Sequence, residues 1–269
     1  NAPQELPFPP TPISLVALAP PWVYKIKKPV SLAFLDFSTL ERRRHYAEQE
    51  VRLNRRLAPD TYVDVVPIVQ TDAGLRVDGA PEAGRVVEVA VKMRYLEPSQ
   101  FLDARLARGE AGPAEIDRVV DTLCAFYASR PSRSEVAEAG RIDRLRAVTE
   151  ENFEEAEGQV GTLLSRPAHE ALQFYARRFY DQQAALLHRR RAHGHIVEGH
   201  GDLRLEHVHL TDERVAIFDC IEFNDEFRWL DVANDVAFLA MDLDHHGRPD
   251  LSRRFVSRMA AGLEGPGLR

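Results

Sequence analysis

The chain has 269 residues, 44% hydrophobic and 29% charged, with a formal net charge of -7, a length that allows one large domain or two lobes around a cleft. No apolar run reaches the roughly 20 residues of a membrane span, the first residues lack the basic-then-apolar order of a signal peptide, and Cys124 and Cys220 match no metal or redox spacing. A cytoplasmic protein with no membrane and no nucleic-acid partner is therefore expected, since holding a nucleic-acid backbone takes clustered Lys and Arg.

Residues 1–12 are rich in proline and read as an extended lead-in. "ISLVALA" (13–19) and "WVYKIKK" (22–28) read as strands joined by Pro20-Pro21. "STLERRRHYAEQEVRLNRRLA" (38–58) reads as a helix, with Ser38 as N-cap and Glu41 as its capping-box partner. "YVDVVPIVQ" (62–70) and "VVEVAVKMRYL" (86–96) flank a region rich in Gly, Pro and Asp, which predicts an antiparallel hairpin. The first 95 or so residues thus form a small sheet carrying one prominent helix.

After Leu96 the periodicity turns helical, which sets a lobe boundary there: 1–95, then 96–269. In "AEIDRVVDTLCAFYASR", Ile116, Val119, Val120, Leu123 and Tyr127 recur at helical spacing. "IDRLRAVTEENFEEAEGQ" (142–159) and "AHEALQFYARRFYDQQAALLHRRRA" (168–192) continue the run, the latter with Leu172, Tyr175, Phe179 and Leu186 on one stripe read as core. The acidic stretch 150–157 reads as a solvated face. The basic cluster from His188 to His195 reads as cations at the negative end of a helix dipole.

The chemistry is concentrated in "IVEGHGDLRLEHVHLTDERVAIFDCIEF", from Ile196 to Phe223. A short apolar run, a loop, "VHL", a turn and "VAIFD" fit two short strands joined by a tight turn. These place Asp202 just before one strand, His207 at its start and Asp219 at the end of the next. Three polar groups converging on one small space suit phosphoryl transfer, in which the protein positions a hydroxyl and neutralises spreading charge. A zinc site built from His200, His207, His209 and Asp219 fits poorly, because H-x6-H-x-H is neither a finger nor H-E-x-x-H.

His200-Gly201-Asp202-Leu203, with His207 five residues after Asp202 and Asp219 seventeen after it, resembles the aminoglycoside phosphotransferase-like family. "VYKIKKPV", "LAFLDFSTLERRRHYAEQEVRLNRRLAP" and "IFDCIEFNDEFRWLDVANDVAFLAMDL" extend the likeness over most of 13–245, toward a bacterial branch often fused to a P-loop kinase module. No Walker-type G-x-x-x-x-G-K-[ST] occurs in this chain. The resemblance implies an α+β, two-lobed protein-kinase-like fold. It further implies ATP with Mg2+, or Mn2+, between the lobes and a small-molecule hydroxyl as phosphate acceptor.

The same resemblance implies the residue roles. Lys25, with Val23 two positions earlier, is the phosphate-binding lysine and fits better than Lys27; a strand-edge lysine that deters aggregation is the competing reading. Glu50 is its ion-pair partner on the helix, with Glu48 as competitor. Asp202 is the catalytic base, while His207 and Asp219 are the metal ligands and His200 braces the loop. Asp231 and Asp235 are read as helix cap or loop brace.

Two features depart from the family pattern. His207 stands where the family carries Asn, exchanging an amide oxygen for an imidazole nitrogen, and "ALAPPWV" lacks the glycines whose amides would cover the phosphates. Both leave open a nucleotide-binding domain with weak or no catalysis that regulates an attached module or partner. The chain also stops soon after "RRFVSRMAAGLEGPGLR", which suggests a fragment of a longer protein.

Overall fold

In the computed structural model, which describes residues 11–130 and 133–263, β1 (Ser14–Ala19) and β2 (Trp22–Lys27) pair antiparallel across a cis Pro20–Pro21 peptide. Residues 1–10 of the proline-rich lead-in, and 264–269 of the final stretch, lie outside the described residues. β3 (Ser31–Leu32) and β4 (Leu35–Asp36) form a separate small hairpin, followed by α1 (Leu40–Asn54). β5 (Tyr62–Thr71), β6 (Gly74–Val77) and β7 (Arg85–Arg94) complete a five-stranded antiparallel sheet in the order β1-β2-β7-β5-β6.

β5 and β7 do pair antiparallel. They are not joined by a simple turn, however, because Gly74, at φ +110, lets the chain fold back as β6 along the other edge of β5. Helix α1 also starts later than the capping-box spacing suggests. The Ser38 N–H donates to Asp36 Oδ1 (2.9 Å), and the extended residue is Thr39, whose hydroxyl accepts from the Arg42 N–H at 3.2 Å. Thr39 is the cap, Arg42 stands three residues beyond it, and Glu41 has no capping-box role. The helix ends at Asn54 rather than running to 58.

The second half contributes α2 (Leu102–Ala107), α3 (Pro113–Ala128), α4 (Ser134–Ala137), α5 (Ile142–Glu157), α6 (Arg166–Gln182) and α7 (Ala184–Ala192). There follow β8 (Ile196–Glu198), β9 (Val208–Leu210), β10 (Val215–Ile217), β11 (Trp229–Asp231), α8 (Val232–His245) and α9 (Pro249–Leu263). The α3 stripe Ile116, Val119, Val120, Leu123 and Tyr127 is buried with Leu239, Leu243 and Phe255 of α8 and α9 and with Val208, Leu210 and Ile217 of the β9–β10 hairpin. Each large apolar side chain so buried contributes roughly 1.5–3 kcal/mol. The opposite face of that hairpin, Ala216 with Phe218 just beyond it, joins the cluster of Ala47, Val51, Tyr62, Val89 and Val91 under the sheet. The two lobes therefore share packing at the hairpin that carries the candidate site.

The run 168–192 is two helices rather than one, parted at Gln183, whose φ of -105° and ψ of 14° leave the helical region. Its stripe is not core: Leu172, Tyr175 and Phe179 are 52%, 68% and 37% exposed, and Leu186 is half-buried. Helical spacing gives α6 an apolar face, but its neighbour α5 has no buried residue to close over it. The acidic stretch is a solvated face, with Glu150 accepting two bonds from Arg177 (2.8 and 2.6 Å). In the basic cluster, Arg190 binds both oxygens of Asp231 at 2.7 Å and so fastens α7 to the start of α8. Among the described residues no helix is long and apolar enough to cross a membrane.

Candidate active site

Period-two alternation on β2 sends Tyr24 and Ile26 to one face of the sheet, while Lys25 and Lys27 point to the other, toward α1. Glu50 turns inward from α1 and is completely buried, whereas Glu48 is exposed. Lys25 Nζ lies 2.9 Å from Glu50 Oε1 as an ion pair without hydrogen-bond alignment, and its aligned bond goes to Asp219 Oδ1 at 2.6 Å. Lys27, the weaker candidate in sequence, is equally engaged: it donates to Glu50 Oε2 at 2.7 Å and to Glu222.

These charges set one another's ionisation. Burial opposes charge on Lys25, but Asp219 and Glu50 carry its pKa well above the ordinary lysine value. Burial likewise opposes the Asp219 carboxylate, yet Lys25, with His207 adding to it, holds that carboxyl well below the usual aspartate range. Glu50 is lowered against burial by Lys25 and Lys27 together. The directions at Lys25, Glu50 and Asp219 favour their charged forms, whereas burial pushes the Glu222 carboxyl up, with Lys27 pulling it partly back.

The helical lobe supplies the other side. His200-Gly201-Asp202 runs in a loop after β8 whose shape is fixed from behind by Asp235, which accepts from the His200 N–H (2.7 Å), the Gly201 N–H (2.9 Å) and the Tyr127 hydroxyl (2.8 Å). Gly201 sits at φ +88, and a Cβ there would stand 2.9 Å from the Phe227 carbonyl oxygen, so the loop needs glycine at that point. His200 is fully buried, and its Nε2 lies 2.9 Å from the Phe218 carbonyl oxygen. Burial, with His207 adding, pushes its pKa down to about 3, so it braces the loop as a neutral ring.

His207 bridges the loop and the hairpin. Its Nδ1 donates to the Asp202 carbonyl at 2.8 Å, leaving Nε2 as the free ring nitrogen, 3.6 Å from Asp219 Oδ2. Asp219 lies two residues beyond β10 at φ +62, a left-handed conformation that aspartate tolerates better than most side chains. Its neighbour is pinned by Asn54, whose Oδ1 accepts from the Cys220 N–H at 2.8 Å. Lys25, Glu50, Asp202, His207 and Asp219 are thus brought together from both lobes.

Among the described residues no three His, Cys, Asp or Glu side chains form a ready-made metal cage. His209 faces Phe101 at 5.3 Å between ring centroids rather than the loop, which takes it out of any zinc set with His200 and His207. The donors do fit a magnesium ion carried in by phosphates, since such an ion needs only one or two carboxylates from the protein. Asp219 offers a carboxylate that is 40% exposed, and the bond from His207 Nδ1 directs the other ring nitrogen, Nε2, to the same space.

Sequence patterns overlooked Glu222 and Asn54. "CIEF" sets a lone carboxylate between apolar neighbours just after a buried strand, and Asn54 falls one helical turn after Glu50; both were available as signals. Strand alternation puts Lys27 on the same face as Lys25, and the two lysines are partners in one cluster rather than rivals for one role.

A five-stranded sheet with one helix, set against a mostly helical lobe that carries a His-Gly-Asp loop and a following Asp, defines the protein-kinase-like class of fold. The chain belongs to the phosphotransferase enzyme family APH, whose profile matches residues 23–268. It is 30% identical over 247 residues to the uncharacterized proteins Mb2027c of Mycobacterium bovis and Rv2004c of Mycobacterium tuberculosis, covering 92% of this chain and 47% of each relative. The chain therefore spans about half the length of the curated relatives it matches.

Proposed function

We propose that the protein is an ATP-dependent phosphotransferase that moves the terminal phosphate of ATP to a hydroxyl of a small molecule. The observation that carries this reading is the meeting of Asp202, His207 and Asp219 on the helical lobe with Lys25 from the opposite sheet. Asp202 takes the proton of the attacking hydroxyl as its oxygen bonds to the terminal phosphorus and the bond to ADP breaks. Lys25, held by Glu50, would exchange Asp219 for phosphate oxygens, and Asp219 and His207 are the residues that would hold the metal. A bound magnesium or manganese ion would neutralise charge spreading over the phosphates. Calorimetric titration with ATP and either metal, followed by an acceptor screen for ADP release, tests the reading; absence of nucleotide binding would end it.

Burial raises the Asp202 carboxyl above the ordinary aspartate range, with His207 and Arg204 pulling it partly back. Because the ionised form accepts the proton, kcat/KM should fall as pH drops through a limb lying above about 3.9. A profile flat down to that value would remove Asp202 from the role. The departure at His207 gives a second expectation: His207→Asn should raise the ratio of magnesium- to manganese-supported ADP release by about threefold or more, as an oxygen donor replaces nitrogen. An unchanged ratio would take His207 off the metal.

One observation favours a second reading, in which nucleotide is bound with little or no transfer to regulate an attached module or partner. The turn between β1 and β2 reads Ala19-Pro20-Pro21-Trp22 in place of the glycines expected from the family pattern, and proline has no N–H to offer a phosphate. Retained ATP binding with no ADP release across a broad acceptor panel would select this reading over the first.

A further inference from the structure

The two lysines of β2 divide one task. Lys27 and Glu222 are only 3% and 6% exposed and bind each other across the lobes, from β2 to the segment three residues beyond Asp219. Lys27 is also the residue that makes the aligned bond to Glu50, whereas Lys25 directs its aligned bond to Asp219. The ring of Phe37 lies under the Lys27 ammonium at 5.0 Å, closing it off further. A lysine so enclosed cannot reach a phosphate, and a buried cation shared by two carboxylates fixes both of them in place.

We infer that Lys27 and Glu222 are a positioning pair that locks α1 to the segment after Asp219, leaving Lys25 free to exchange Asp219 for nucleotide phosphate. What Lys25 exchanges toward rests on the phosphotransferase reading; the link between the two elements does not. Asn54 supports the link from the same helix, through its bond to the Cys220 N–H. With Lys27 removed, Glu50 would keep Lys25 as its ion-pair partner, but Glu222 would lose its bonded cation and the link from β2 and α1 to its segment, and both elements would loosen.

Hydrogen exchange read by mass spectrometry on the full chain tests the link without any need for turnover. Lys27→Met and Glu222→Gln should each speed amide exchange by about tenfold or more in both 47–54 and 220–225, whereas Lys25→Met should leave 220–225 at the wild-type rate. Unchanged exchange at 220–225 in the first two variants, or equal loosening by Lys25→Met, overturns the inference. Should Lys27→Met fail to fold, the milder Glu222→Gln decides alone.

Kinetics supply the second readout. Each single variant should lower kcat by about tenfold or more with KM for ATP within about threefold, and the double variant should be no slower than the slower single, as for residues acting as one unit. Losses that multiply in the double variant, or that appear only in KM, would count against the pair. Failure of the wild-type protein to bind or turn over ATP would overturn the phosphotransferase reading instead, and the exchange result would still decide on the link.

Discussion

Asp202→Asn should lower kcat by about a hundredfold or more, the usual worth of a positioned general base, while ATP affinity stays within about threefold. Geometry makes this a clean replacement. His207 is oriented by the main-chain carbonyl of residue 202, not by its carboxylate, which stands 3.8 Å from Nδ1. Asparagine keeps the carbonyl and the side-chain shape and removes only the proton acceptor. Single-turnover ADP release beside calorimetric ATP binding separates the two quantities. A variant that keeps wild-type turnover would show that the proton leaves by another route.

The largest effect on stability is expected at Asp235. The residue is 1% exposed and satisfies three donors at once, the amides of His200 and Gly201 and the Tyr127 hydroxyl. Burial pushes its carboxyl up, and those donors pull it partly back. Asp235→Ala would leave all three donors buried without an acceptor, at about 1–3 kcal/mol each, so a loss of about 3 kcal/mol or more is expected in urea denaturation. Tyr127→Phe removes a single donor and should cost about 1 kcal/mol. Since the same amides shape the loop ahead of Asp202, turnover of any folded Asp235→Ala should fall as well. A loss no greater than that of Tyr127→Phe would show that water replaces the missing carboxylate.

Where one residue's local pattern decides its own position, the sequence could be read directly. Strand alternation put Lys25 and Lys27 on one face without choosing between them, helical spacing turned Glu50 rather than Glu48 inward, and the two short strands around Thr211 set Asp202, His207 and Asp219 near one another. Where the outcome depends on what packs opposite, local pattern fell short. The stripe of Leu172, Tyr175 and Phe179 is a true helical face, yet no periodicity on α6 can report that α5 leaves it open. Thr39 displaced Ser38 as cap because Asp36, two residues upstream, claims the Ser38 amide. Glu222 went unnoticed because its partner lies 195 residues away in the chain, and only the folded lobes bring the two together.

The backbone at Asp219 limits what evolution or an engineer can place there. At φ +62 most side chains crowd their own main chain. Glutamate would keep the charge but reach it from an unfavourable torsion; glycine would relax the torsion and abolish the charge. Asparagine alone combines tolerance of that conformation with a similar shape. A drop in rate from Asp219→Asn therefore measures the missing negative charge, whereas any other exchange at this position mixes charge with conformation.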